Sequence, residues 1–386
     1  VTAFRDVFER FLATHASRQM RGLMSATAVL DFAVSSISLF EPIYLYSLGW
    51  SLASICLFYL AVYALTFFLL PIGASYVGRL GFQHAILFSS PFLIAYFLAL
   101  YAIPRHPAFI VVAIASFAVQ KVLYWPAFHA EMAKYGHDGE RGREISNLAS
   151  LSSFAMILGP TFGGVLIGLY GFPVAFAAAS LLIIASNIPL ISIPEERARE
   201  RVEYLPALKR VFRKERRGEL IALSGFGEEF VIQAIWPIFL FVTLKGFAST
   251  GVVVSVSILL TSLTMLFIGR LSDLQSRHAV LKTGAFFTAF SWILRPFLMG
   301  PLGALAGDFF YRSSRTLLGI PMMAVIYERV SKGPFFERLI AIEMSIILGK
   351  ALMMAIGVVV ALVWPGAFLP FFILAALFSL LYARMP

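Results

Sequence analysis

Charge is what this sequence has least of. Only 13% of its 386 residues are Asp, Glu, Lys or Arg, against about 25% in a soluble domain. Hydrophobic residues make up 60%, and the mean hydropathy is +0.85. A water-soluble core of this size has no room for that excess, so much of it reads as surface facing lipid. Cysteine is nearly absent. Cys56 is the single one, which excludes an intrachain disulfide and a thiolate metal cluster. The six histidines (His15, His84, His106, His129, His137 and His278) show no His-x-x-x-His spacing, so no metal site is expected. A Gly-x-x-x-x-Gly-Lys-Ser/Thr phosphate loop is missing, which argues against ATP-driven transport. A Gly-x-Ser-x-Gly nucleophile motif is missing too. With no catalytic constellation, the chain reads as a non-enzyme that needs no cofactor.

An uncharged apolar run near the start is also lacking. Residues 1–20 carry Arg5, Asp6, Glu9, Arg10 and Arg18, with Phe4, Phe8, Phe11 and Leu12 on one helical face. This reads as an amphipathic segment on the cytoplasmic membrane surface, not a cleavable signal.

What is abundant is long apolar runs. A membrane-crossing helix needs about 20 mostly apolar residues, and twelve segments qualify. They are 22–46, 51–72, 83–103, 107–130, 145–169, 173–193, 220–244, 246–268, 279–299, 301–327, 339–363 and 367–383, numbered here as spans 1 to 12. Gly49, Pro104, Gly171 and Pro365-Gly366 punctuate them. The net charge of +10 would suggest nucleic acid in a soluble protein, but its distribution excludes that. With the N-terminus placed inside, 24 of the 31 Lys and Arg residues fall on the inner side. Three (Arg105, Lys245, Arg295) fall outside, and four (Lys121, Arg312, Arg315, Lys350) fall within spans. That asymmetry predicts a multi-pass cell-membrane protein with both termini cytoplasmic. The longest polar stretch, 194–219, reads as a central cytoplasmic linker, first of all a solvated tether, with contact between its basic end and anionic lipid as the alternative.

The chain repeats itself. Pro42-Ile43-Tyr44-Leu45-Tyr46 matches Pro237-Ile238-Phe239-Leu240-Phe241, and Ile72-Gly73 matches Ile268-Gly269. Lys121 corresponds to Arg315 and Pro126 to Pro321, all at offsets of 194 to 196. The expected organisation is therefore an all-α membrane protein of two pseudo-symmetric six-helix bundles, 21–193 and 220–386. Parallel six-helix repeats are a recurrent transporter design.

Two motifs carry a family resemblance. After span 8 the chain reads Gly269-Arg-Leu-Ser-Asp273-Leu-Gln-Ser-Arg277-His278. Gly269, Asp273 and Arg277 match the pattern Gly-x-x-x-Asp-Arg-x-Gly-Arg-Arg, which gates transport in the major facilitator superfamily. The equivalent first-half loop keeps Gly73 and a shifted Arg79, with Val77 in place of the acid. In span 5, Gly159-Pro160-Thr161-Phe162-Gly163-Gly164 resembles the Gly-Pro-x-x-Gly-Gly motif of exporter branches. There Pro160 removes a backbone donor and kinks the helix, while the glycines admit a neighbouring helix. The chain thus resembles that superfamily along its whole length, which implies a monomer working by alternating access.

A charge at mid-membrane costs at least about 2.5–3.5 kcal/mol, so it faces a cavity or a partner. Interior charges here cluster in spans 1, 4, 7, 10 and 11. In the superfamily, helices 1, 4, 7 and 10 line the central cavity, and the charge distribution fits that plan. Asp31, Glu228 and Glu229 are candidates for proton or other ion coupling. Lys121, Asp308, Arg312, Arg315, Glu343 and Lys350 are candidates for the substrate cavity or for structural ion pairs, Asp308 with Arg312 above all. Tyr124, Trp125 and Trp236 are candidates to stack on an organic substrate. Glu41 and Glu131 read as interfacial. The implied activity is proton-coupled export of a small organic or amphipathic molecule. The alternatives are a carrier of an anionic or lipid-like solute, or a membrane sensor that keeps the fold without transporting.

Overall fold

A computed structural model describes residues 18–134, 141–191, 202–274, 277–331 and 335–385, with side chains over a narrower set that leaves out 18–20, 131–134, 141–150, 266–277, 324, 327, 328, 330, 331 and 335. Segment 1–17 therefore lies outside the described residues, as do the side chains of Glu131, Gly269, Asp273 and Arg277. Among the described residues the regular structure is all helical.

Among the described residues the helices trace twelve passes. Eight helices are long and apolar enough to cross a membrane, and one of them, Leu151–Ile191, holds both spans 5 and 6. Span 12 is the shorter apolar helix Leu369–Arg384. Spans 9 and 10, Arg277–Leu294 and Gly300–Ser331, are less apolar, and the second carries Asp308, Arg312 and Arg315 in its middle.

Several boundaries differ from the sequence reading. Span 2 continues as helix Leu52–Leu80, so the expected loop around Gly73 and Arg79 is helical and the chain turns only at Gly81, with φ 98°. Span 8 likewise runs on through Gly269 and Asp273 to Leu274. Neither segment holds a proline after the last apolar turn, and the glycines there (Gly73, Gly78, Gly269) weaken a helix without stopping it, so the helices extend past the hydrophobic stretch. Gly73 packs where a Cβ would overlap Val122 of span 4, whereas Arg79 is exposed. Span 1 is interrupted between Ser38 and Glu41 and resumes as Glu41–Ser47, with Pro42 in its first turn. Spans 5 and 6 join through Gly171 at φ 79°, a conformation that costs glycine little.

Helix pairing repeats with a shift of six. Span 1 packs on span 5 as span 7 packs on span 11, and 2 on 4 as 8 on 10. Span 3 packs on 4 and 6 as 9 packs on 10 and 12. Across the halves, span 5 meets span 8 and span 2 meets span 11.

The span 5 motif explains two of these pairings. A Cβ at Gly159 or Gly163 would overlap Ser35 or Ser36 of span 1, and one at Gly164 would overlap the Phe247 carbonyl of span 8. On the facing side, Gly251 of span 8 lies against the Pro160 carbonyl. The Thr161 N–H donates to Ser255 Oγ of span 8 at 3.1 Å. One short run of small residues thus holds span 5 to its own half and to the other. Gly163→Val is expected to destabilise the protein by about 1–3 kcal/mol or more through overpacking. The readout is a lowered melting temperature in detergent. An unchanged melting curve would show that the contact is not a close one.

Candidate functional site

A cavity of about 750 Å³ lies between the halves, lined from spans 1, 2, 3, 4, 5, 7, 8 and 10. A smaller one of about 220 Å³ lies between spans 2, 4, 7, 10 and 11. Tyr63, Lys121, Trp125, Glu229 and Gln233 line both. These five residues form the partition between the two spaces. Tyr63 Oη lies 3.5 Å from Gln233 Oε1 across the halves.

Span 7 builds the charged wall. It is a broken helix: Arg217–Ser224, a 3₁₀ turn at Gly225–Gly227, Glu228–Phe230, a π-helical turn at Val231–Ile235, then Trp236–Leu244. Pro237 lacks an N–H and its ring crowds the carbonyl four residues back, which accounts for the widened turn just before it. The break at Gly225–Gly227 has a packing reason. A Cβ at Gly227 would lie 2.7 Å from the Gly349 carbonyl of span 11 and 2.5 Å from the Phe378 ring of span 12. This close approach brings Lys350 and Tyr382 to the two glutamates.

Glu228 and Glu229 point different ways. Glu228 is 0% exposed and sits behind the cavity wall. It accepts hydrogen bonds from Tyr311 Oη (2.8 Å), Trp292 Nε1 (3.0 Å) and Arg315 Nε (3.0 Å), with Tyr382 Oη at 3.5 Å. Glu229 lines both cavities and bridges two cations, Arg315 at 2.8 Å and Lys350 at 2.7 Å. Consecutive helical residues differ by about 100° in direction. One acid is therefore locked inside the bundle while the other faces the space between the halves.

A second buried cluster surrounds Asp308, itself 0% exposed. It accepts from Arg312 Nε (2.6 Å), Arg295 (3.1 Å) and Trp236 Nε1 (2.9 Å). The expected intrahelical neighbour Arg312 is there, but so is Arg295, which sequence position had put on the outer surface. Arg295 is fully buried. Its guanidinium lies 3.9 Å from the Trp236 ring centroid and 4.3 Å from those of Trp292 and Tyr311. A desolvated cation–π contact is worth about 2 kcal/mol, so the aromatic box and the carboxylate together offset the cost of burying this charge.

The candidates therefore separate. Asp31, Lys121, Tyr124, Trp125, Glu229, Arg312 and Arg315 line the large cavity, and Glu343 and Lys350 line the small one. Trp236 and Asp308, expected at the cavity, line neither of these two spaces. They are buried at 1% and 0% and serve Arg295. Trp125, 42% exposed, stacks on His129, whose Nε2 lies 3.4 Å from Glu343 Oε1 of span 11. Glu343 thus meets a histidine of the other half.

Sequence reasoning missed Glu41, Arg295, Tyr63 and Gln233. Glu41 is not interfacial. It is buried, lines the large cavity and accepts from Tyr96 Oη at 3.0 Å. Its place one residue before Pro42 in a broken helix was the available signal.

The halves differ electrostatically despite their repeat. Positions 195 residues before Glu228 and Glu229 hold Ala33 and Val34. Lys121 consequently lacks the acids that its counterpart Arg315 has. Its Nζ lies over the Phe117 and Tyr63 rings, at 4.1 and 5.1 Å from their centroids. Among the described residues it is in no ion pair.

A sequence profile of the Major Facilitator Superfamily matches residues 22–227, more than half of the chain. The chain belongs to this superfamily. The match spans the first six passes and the start of the seventh, including Asp31, Glu41 and Lys121. No curated protein matches the chain. Superfamily membership and the apolar helices make it a multi-pass membrane transporter, with lipid as its solvent and a small molecule as its cargo. Among the described residues there is no cluster of His, Cys, Asp or Glu able to hold a metal ion.

Removing one partner of a buried ion pair leaves an uncompensated charge and costs about 3–5 kcal/mol. Arg295→Met is expected to lower the melting temperature accordingly. Combining it with Asp308→Asn should recover a substantial part of the loss. If Arg295→Met melts like wild type, Arg295 does not clamp Asp308.

Proposed function

We propose that this superfamily member is a secondary transporter working by alternating access, with units 21–193 and 220–386 rocking about the cavity between them. The cargo is a small organic or amphipathic molecule, exported in exchange for protons across the cell membrane, with both termini cytoplasmic. The observation that carries the reading is the placing of two acids, Asp31 and Glu229, on the wall of one inter-half cavity. Asp31 is in no ion pair among the described residues. Glu229 is held by two cations that a change in the packing of spans 10 and 11 would withdraw. A carboxylate that gains and loses such partners as spans 10 and 11 shift within their half gains and loses its proton with them. The export direction rests on the Gly159–Gly164 motif. The apolar and aromatic lining beside a few charges suits an amphipathic cargo. A monomer suffices for this cycle, since the cavity is completed within one chain.

Lys121 favours a second reading. A cavity-facing ammonium without a carboxylate in contact among the described residues suits an anionic or lipid-like solute. Under that reading Lys121→Gln abolishes solute binding and spares proton movement.

Compound-evoked proton flux in proteoliposomes tests the coupling. Asp31→Asn and Glu229→Gln are expected to abolish the flux; Asp31→Asn leaves the melting temperature near wild type, whereas Glu229→Gln lowers it because Arg315 and Lys350 lose a partner. Glu228→Gln is expected to destabilise the bundle by about 1–3 kcal/mol, since it disturbs a fully buried network. A compound that crosses with no proton movement, identically in wild type and both cavity variants, would reject coupling through these acids.

A further inference from the structure

Between spans 6 and 7 lies a short helix, Tyr204–Val211, followed by a turn at Lys214–Arg216 and the start of span 7 at Arg217. Its faces are sharply divided. Ala207 and Val211, four apart, are buried against the protein. Leu205, Lys209 and Phe212 have i, i+4, i+7 spacing and share another face. Leu205 and Phe212 there are 62% and 57% exposed. Exposed basic residues flank that stripe: Lys209 within it, and Arg213, Lys214 and Arg217 just after it. Among the described residues these four are in no ion pair. The other two bases of the segment are engaged, Arg210 with Glu337 and Arg216 with Glu219.

The position of the helix identifies what covers this face. Ser75 Oγ of span 2 donates to the Val202 carbonyl at 2.6 Å. Arg210 pairs with Glu337 in the first turn of span 11. The helix packs on span 2 and on span 11. These belong to different halves and pack against each other at one of the seams between them. The segment therefore lies across the seam between the halves, level with one set of span ends. An exposed apolar stripe beside basic side chains at that depth meets the lipid boundary, not bulk water.

We propose that residues 204–217 form an anionic-phospholipid-binding strap laid across the seam between spans 2 and 11. Leu205 and Phe212 enter the acyl boundary of the adjacent leaflet. Lys209, Arg213, Lys214 and Arg217 take the phosphate-bearing headgroups. Lipid composition in that leaflet then bears on the 2/11 seam through Arg210–Glu337 and Ser75–Val202.

The test reads a tryptophan placed on the stripe. Phe212→Trp in the full chain is reconstituted into phosphatidylcholine vesicles containing phosphatidylglycerol, with bromine on the acyl chains of one lipid or the other. Emission is taken as the difference from wild type, which carries five tryptophans. The added signal is expected to be blue-shifted. At equal mole fraction, brominated phosphatidylglycerol should quench it at least about twofold more than brominated phosphatidylcholine. Neutralising Lys209, Arg213, Lys214 and Arg217 to Gln should remove that preference and keep the blue shift, as should high salt. Water-like emission unquenched by either lipid would overturn the strap, leaving a soluble partner or a second copy as the occupant. Equal quenching by both lipids would overturn the selectivity for anionic headgroups.

Discussion

A carboxylate that cannot reach water must find its counter-charge inside the protein, and Glu228 and Asp308 impose that condition on the whole second half. Arg315 satisfies the first, with Tyr311 and Trp292 as further donors. Arg295 and Arg312 satisfy the second. These partners come from spans 9 and 10 to acids on spans 7 and 10, so the ion pairs tie three helices together. The aromatic box around Arg295 completes the arrangement. In low dielectric each pair is strong, and each missing partner would be costly. Charge neutralisation therefore dictates how closely the helices stand. The glycines at 225, 227 and 349 then follow as the residues that permit such an approach.

The same condition is met differently in the first half. There the repeat supplies Lys121 where the second half has Arg315, but Ala33 and Val34 where it has the two glutamates. Lys121 rests on aromatic faces and Glu41 on a tyrosine hydroxyl. One half of the wall is a closed electrostatic network. The other presents single charges to the cavity. A two-fold repeat that has lost its electrostatic symmetry distinguishes one end of a bound molecule from the other, which a symmetric cavity does not.

Around this charged centre, small residues set the geometry of the seams. Spans 5 and 8 meet through Pro160, Gly164, Gly251 and Ser255, with backbone atoms in the contact. At the partition, Tyr63 with Gln233 and His129 with Glu343 are polar contacts between the halves. Polar contacts exchange partners more readily than interlocked backbones do. The two kinds of seam differ accordingly in how easily they separate.

Composition and periodicity by themselves determined the membrane class and the twelve passes, because a bilayer demands long apolar runs whatever their packing; the repeat and the likeness to the superfamily came from particular residues and motifs. The concentration of charge in spans 1, 4, 7, 10 and 11 was equally legible, since so few charges are tolerated there. Which way each charge faces was not. Glu228 and Glu229 are adjacent in the chain and identical in chemistry, and only the packing of spans 9 to 12 on span 7 buries one and exposes the other. Arg295 stands near the end of an apolar run, where a linear reading places it at the surface. Trp236 and Tyr311 draw it inside from distant positions, joining Trp292 one turn back in its own span. A linear pattern records how much charge the membrane must accommodate. Only the folded chain brings distant side chains within 3 Å, and at that distance a buried charge is neutralised or left for cargo.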